Sequence, residues 1–164
     1  MTEVAIPLDD IELPTIGSTL LGKYVLRRMV AKGGMGAVFE GEHNRLNQRV
    51  AVKILLPEML RDQVVVERFS REARALASVR NPHVAAVYDV DFTPSGLPFM
   101  VMEFLEGDDL ARVLSTDKTI SDATKIRWVC DVASALSEAH SLGIVHRDIK
   151  PANIILAKSG SQRI

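Results

Sequence analysis

Near the end of the chain, His146-Arg147-Asp148-Ile149-Lys150-Pro151-Ala152-Asn153 sets a carboxylate, a cation and a carboxamide at fixed spacing in one short segment. Phosphoryl transfer asks a protein mainly for positioning and charge stabilisation, and this set offers a base, a charge neutraliser and a metal ligand. A polar loop that merely followed a helix, with His146 as a structural histidine, would not need that joint spacing.

Two further charges stand where apolar patterning should exclude them. In Val50-Ala51-Val52-Lys53-Ile54-Leu55 the alternation of a strand places Ala51 and Lys53 on one face, opposite Val50, Val52 and Ile54. Glu72 falls with Phe69, Ala73 and Leu76 at helical spacing, so a carboxylate shares the face that otherwise reads as core. An unpaired buried charge is costly, so each of these residues predicts the other as its partner. Arg68, Arg71 and Arg74 fit a solvated face instead.

Glycine clusters are turns more often than ligand sites, and Val30-Ala31-Lys32-Gly33-Gly34-Met35-Gly36-Ala37-Val38 must be judged by its context. A dinucleotide fingerprint needs glycines between a strand and a helix, and a P-loop needs Gly-Lys-Ser/Thr. Here the glycines join two strands, an arrangement whose backbone N–H groups can cover phosphates. A dinucleotide-dependent oxidoreductase is excluded on the same ground.

The elements that must position these residues are legible in the pattern. Short apolar or alternating runs at Tyr24 to Val30, Ala37 to Glu42 and Arg49 to Leu55 predict a three-stranded meander. A helix over about Gln63 to Val79 follows and ends at Asn81-Pro82; strands near Val84 to Asp91 and Phe99 to Phe104 flank a Pro94-Ser95-Gly96 turn. Five strands and one helix make a small α+β lobe. Beyond Gly107 the period is helical, clearest from Asp122 to Leu142, with Ser121 as cap, Gly143 as stop and Ile126, Val129, Cys130, Ala133 and Leu136 on one stripe. Residues 1–20 hold four acidic residues and no basic one, and read as a flexible acidic leader.

In this order, the glycine hairpin, Lys53, Glu72 and the His146–Asn153 segment resemble the motifs of the eukaryotic-type (Hanks-type) protein kinases. Gly33-Gly34-Met35-Gly36 and Lys150 after Asp148 are similar to the bacterial serine/threonine branch. The resemblance covers residues 20–164 and implies a protein-kinase-like fold, with a small lobe over residues 21–105 and the start of a large lobe over residues 106–164. It implies that Val30, Ala31, Lys32, Gly33, Gly34, Met35, Gly36 and Val38 cover the phosphates and base of ATP, with Ala31 standing where the family's first glycine would be. It makes Lys53 the holder of the α- and β-phosphates and Glu72 its orienting partner. Met102 becomes the gatekeeper, Glu103 and Leu105 backbone donors to adenine, Asp109 a ribose contact, and Ala51, Val38 and Ile155 a sandwich for the base. Asp148 would accept the hydroxyl proton, Lys150 neutralise γ-phosphate charge and Asn153 bind Mg2+. Arg147 is the residue by which such kinases respond to phosphorylation of their activation loop.

The family continues through two strands into Asp-Phe-Gly; Gln162-Arg163-Ile164 resembles the start of the second strand, so the chain is expected to stop about two residues before that aspartate. The resemblance thus implies a complete small lobe, a truncated large lobe and poor activity for this chain alone. The competing reading is a non-catalytic nucleotide-binding or interaction fragment, a pseudokinase-like remnant. An in-frame Asp-Phe-Gly in the coding DNA beyond Ile164 would favour the enzyme.

Composition agrees with a globular unit: 47% hydrophobic, 25% charged, with a net charge of -1 that argues against a nucleic-acid partner. The single cysteine, Cys130, allows no disulfide framework, and His43, His83 and His140 lack catalytic company. No run is long enough for a membrane span, and the first basic residue is Lys23, so a secretory signal is not expected. Cytoplasmic signalling through a protein serine or threonine hydroxyl is the expectation.

Overall fold

The computed structural model describes residues 10–158. They fall into two compact units, one holding the described residues up to Ala77 together with Ala86–Phe104, the other Ser78–Ala85 and those from Leu105 onward. The sequence assigns Ser78–Ala85 to the small lobe. The structure instead ties it to a helix of the second unit: Glu138 accepts from the Arg80 backbone N–H at 2.9 Å and from Asn81 Nδ2 at 3.2 Å.

The first unit is a curled antiparallel sheet in the order β1-β2-β3-β4-β6-β5, comprising β1 (Thr19–Leu20), β2 (Tyr24–Lys32), β3 (Gly36–His43), β4 (Gln48–Leu55), β5 (Val87–Phe92) and β6 (Pro98–Glu103). Helix α1 (Gln63–Ser78) follows β4 after a 3-10 turn at Pro57–Arg61. One face of the sheet buries Leu26, Phe39, Val50, Val52, Ile54, Phe99 and Val101 in a single cluster. On the other, Leu55 and Met100 pack with Phe69 and Ala73 of α1. The curl is bridged by Asp89 of β5, which pairs with Lys23 at 2.8 Å and accepts from Tyr24 Oη at 3.2 Å.

The sheet has one strand more than the sequence suggests. β1 comes from the segment read as leader, where Ile11 and Leu20 are 8% and 2% exposed within the core. Their apolar side chains fold back on the sheet, and the acidic character of residues 1–20 masked that signal; residues 1–9 lie outside the described part of the chain.

The second unit contains β7 (Gly107–Asp109), α2 (Leu110–Thr116), α3 (Asp122–Ser141) and β8 (Ile155–Ala157), with β7 and β8 paired antiparallel. Ser121 caps α3 through Thr124 N–H, and Gly143 adopts φ 73° just beyond its end. On the apolar stripe of α3, Ile126 and Val129 are 63% and 67% exposed, while Leu136 is half-buried like Trp128, Val132 and Ala135. No helix among the described residues is long and apolar enough to cross a membrane.

Two glycines separate packing from flexibility. A Cβ on Gly107 would run into the Leu156 carbonyl, while one on Gly33 would meet nothing closer than 3.8 Å. Gly107→Ala should therefore lower stability in urea unfolding by about 1–3 kcal/mol, and Gly33→Ala should stay within about 0.5 kcal/mol of wild type.

Candidate active site

Strand β4 runs between β3 and β6, and its alternation decides which side chains share a face. Lys53 pairs with Val38 on β3 and Met100 on β6; Ala51 pairs with Glu40 and Met102. Directly opposed residues point the same way, so Val38, Ala51, Lys53 and Met102 form one patch. Phe69 and Ala73 anchor α1 to this same side, and the intervening turn carries Glu72 toward Lys53. Lys53 Nζ lies 2.8 Å from Glu72 Oε1 and 5.8 Å from the Phe69 ring centroid. The pair expected from the sequence is thus formed, but for a different balance of forces. The two side chains are 31% and 46% exposed, so they meet at the edge of the core where water still screens them.

The glycine turn joins β2 to β3. Gly33 N–H donates to Gly36 O at 2.9 Å, and Leu56 N–H donates to Met35 O at 3.0 Å, pinning the turn to the end of β4. Val30, Ala31, Lys32, Gly33, Gly34 and Met35 are all exposed. Gly36 has a packing role as well, because a Cβ there would lie 3.0 Å from Ile54 O.

At the end of β6 one expectation needs correction. Glu103 N–H donates to Ala86 O at 2.8 Å, so it cannot also donate to a ligand, toward which only its carbonyl, as an acceptor, remains. Ala86 continues the β5–β6 ladder one step beyond the Val87–Met102 pair, which is why it meets Glu103.

In the second unit, Asp109 and Ile155 face each other across the β7–β8 ladder. Asp109 Oδ1 also caps α2 by accepting from Arg112 N–H at 2.8 Å. The β8 ladder and the bond from Leu110 N–H to Ile154 O at 2.8 Å hold the end of the segment that carries Asp148. Pro151–Asn153 forms a 3-10 turn, and Arg147 adopts φ 63°, a left-handed conformation uncommon for a non-glycine residue.

This folding draws Asp148, Lys150 and Asn153 together. Lys150 Nζ lies 3.0 and 2.9 Å from the two Asp148 carboxylate oxygens. Asn153 Nδ2 donates to Asp148 O at 2.8 Å and Oδ2 at 3.0 Å. The hydrogen bond from Lys150, then that from Asn153, holds the Asp148 carboxyl below the usual carboxylate range. It is therefore ionised at neutral pH, as a proton acceptor must be.

With its amide nitrogen committed to Asp148, Asn153 presents its carbonyl oxygen as a hard, neutral donor of the kind a divalent metal accepts. No cluster of His, Cys, Asp or Glu among the described residues could hold a metal ion. Magnesium bound by few protein oxygens, water and phosphate requires no such cluster.

A family model described as the protein kinase domain matches residues 24–164. The serine/threonine-protein kinase PknA of Mycobacterium tuberculosis is 39% identical over 155 residues, covering 92% of this chain and 36% of that protein. The serine/threonine-protein kinase pkn3 of Myxococcus xanthus is 37% identical over 141 residues, covering 86% and 26%. The chain thus spans little more than a third, or less, of these relatives' length. The crystal structure of the Mycobacterium tuberculosis PknI kinase domain matches with a TM-score of 0.75 at 29% identity, covering 89% of this chain and 60% of that one.

The Asp148 geometry has a measurable signature. Carbon-13 NMR titration should place its carboxyl below an ordinary aspartate, and Lys150→Met should move the midpoint upward, because the ammonium hydrogen bond to the ionised form is removed. An unmoved midpoint would deny the Lys150 contact.

Proposed function

Because the chain belongs to the protein kinase family, in its bacterial serine/threonine branch, we propose that the protein transfers the γ-phosphoryl group of ATP to a serine or threonine hydroxyl of a protein substrate. The observation that carries this reading furthest is the 2.8 Å pair of Lys53 with Glu72 on the face shared with Ala51 and Met102. Lys53 holds the α- and β-phosphates, and Glu72 keeps its ammonium from turning away. The turn from Val30 to Gly36, with Val38, covers the nucleotide, and Gly33 and Gly34 leave room for the close approach of phosphate. Met102 closes the apolar end of the base site. The Glu103 carbonyl accepts from the base, and Leu105 N–H donates to it. Asp109 contacts the ribose through the carboxylate oxygen not used in capping, and Ala51 and Val38 cover the base.

Asp148 orients the substrate hydroxyl and accepts its proton. Lys150, now on Asp148, would turn to the γ-phosphoryl oxygens as charge develops there. Asn153 supplies a metal ligand, and Mg2+, when bound, adds neutralisation of phosphate charge. We also propose that the protein acts in the cytoplasm, in signalling.

The test is a comparison of nucleotide binding and turnover in the full-length protein. Lys53→Met should lower phosphoryl transfer about a hundredfold or more through lost phosphate positioning. Asp148→Asn should lower turnover by roughly 10²–10⁴ while ATP affinity stays near wild type. Wild-type ATP binding without any transfer to protein would favour a non-catalytic nucleotide-binding role. Undiminished turnover in Asp148→Asn would remove it as the base.

A further inference from the structure

We propose that Arg49 is a positioning residue for nucleotide recognition: held by Glu40, its guanidinium stacks on Phe104 and fixes the chain where it leaves β6. This deepens the phosphoryl-transfer reading and rests on it. The alternation that places Ala51 and Lys53 on one face of β4 places Arg49 there too. Val50 pairs with Glu103, so Phe104 is the next residue on the neighbouring strand path, opposite Arg49. The guanidinium carbon lies 4.3 Å from the Phe104 ring centroid, within the range of a cation–π contact.

The guanidinium is held at its other edge. Arg49 Nε donates to Glu40 Oε1 at 2.8 Å, and Arg28 Nη2 lies 2.6 Å from Glu40 Oε2. Glu40 is only 14% exposed in its side chain, so the arginines bind a carboxylate largely withdrawn from water. Desolvation alone would raise its pKa; Arg49 first, then Arg28, reverses this and lowers it. The acceptor therefore stays charged through the neutral range, and the row Arg28–Glu40–Arg49–Phe104 crosses from β2 to the end of β6.

Glu103 is gripped independently by Ala86, through the 2.8 Å backbone bond and the weaker 3.4 Å contact from Ala86 N–H to Glu103 Oε2. Glu103 and Phe104 are thus fixed immediately before Leu105, the residue whose backbone the proposed function uses. Lysine could not replace arginine here, because a flat, delocalised cation covers the aromatic ring while its edge faces the carboxylate.

The experiment measures ATP KM and kcat, together with equilibrium ATP binding and thermal unfolding, for full-length wild type, Arg49→Ala, Arg49→Lys, Phe104→Leu and the Arg49→Ala/Phe104→Leu double variant. Arg49→Ala should raise KM and Kd for ATP about three- to fivefold, the size a single cation–π contact supports, with kcat within about twofold. Arg49→Lys should recover little of the loss. The double variant should be no worse than Arg49→Ala alone, since both changes break one contact. Additive losses, full rescue by lysine or a lower melting temperature with unchanged KM would each overturn the proposal. If Arg49→Ala does not fold, Phe104→Leu decides by the same KM criterion. A wild type that binds no ATP would overturn the kinase reading itself, a result distinct from ATP binding that is indifferent to Arg49.

Discussion

The register of β4 is the constraint on which the first unit depends. Val50, Val52 and Ile54 are fully withdrawn into the core, and each such side chain contributes about 1.5–3 kcal/mol. A slip by one residue would turn all three to the opposite face and drive Arg49 and Lys53 into the core, so the alternative is closed by a wide margin. The same alternation then has a chemical consequence: Arg49, Ala51 and Lys53 form a file of cation, small apolar surface and cation on the face where α1 packs.

The Lys53–Glu72 pair is a product of that register and adds little to its stability. With side chains 31% and 46% exposed, it resembles a surface ion pair, worth about 0–1 kcal/mol, far less than the three apolar residues beside it. Such a contact can be made and broken by a small shift of α1, whereas a buried pair would resist it. Asp148 is likewise exposed, and its environment is set by hydrogen bonds within a short segment more than by burial. Packing fixes the backbone of the first unit and hydrogen bonds that of the Asp148 segment, and the reactive groups of both are exposed or half-buried.

Period-two and helical patterning made β2, β3, β4, β6 and both long helices readable to within a few residues, and the motif spacing singled out Lys53, Glu72, Asp148 and Asn153. β1 escaped because a two-residue strand has no period and lies among acidic residues. The resemblance implied a strand after Asn153, but the short β7 and its pairing with β8 escaped, together with the need for glycine at position 107, which becomes visible only when Leu156 is alongside. Glu72 was assigned to the core face because helical spacing marks a direction, whereas exposure depends on how far the sheet extends beneath it. The Ala86 contact to Glu103 follows from the register of β5 on β6, which patterning within either strand does not fix.

If β4 presents Lys53 to phosphate, Glu72 must act through it. A double-mutant cycle on equilibrium binding of ATP tests this most directly, using Lys53→Met, Glu72→Gln and their combination in the full-length protein. Glu72→Gln should weaken ATP binding when Lys53 is present and have no further effect once Lys53 is methionine. An equal loss from Glu72→Gln in both backgrounds would contradict it.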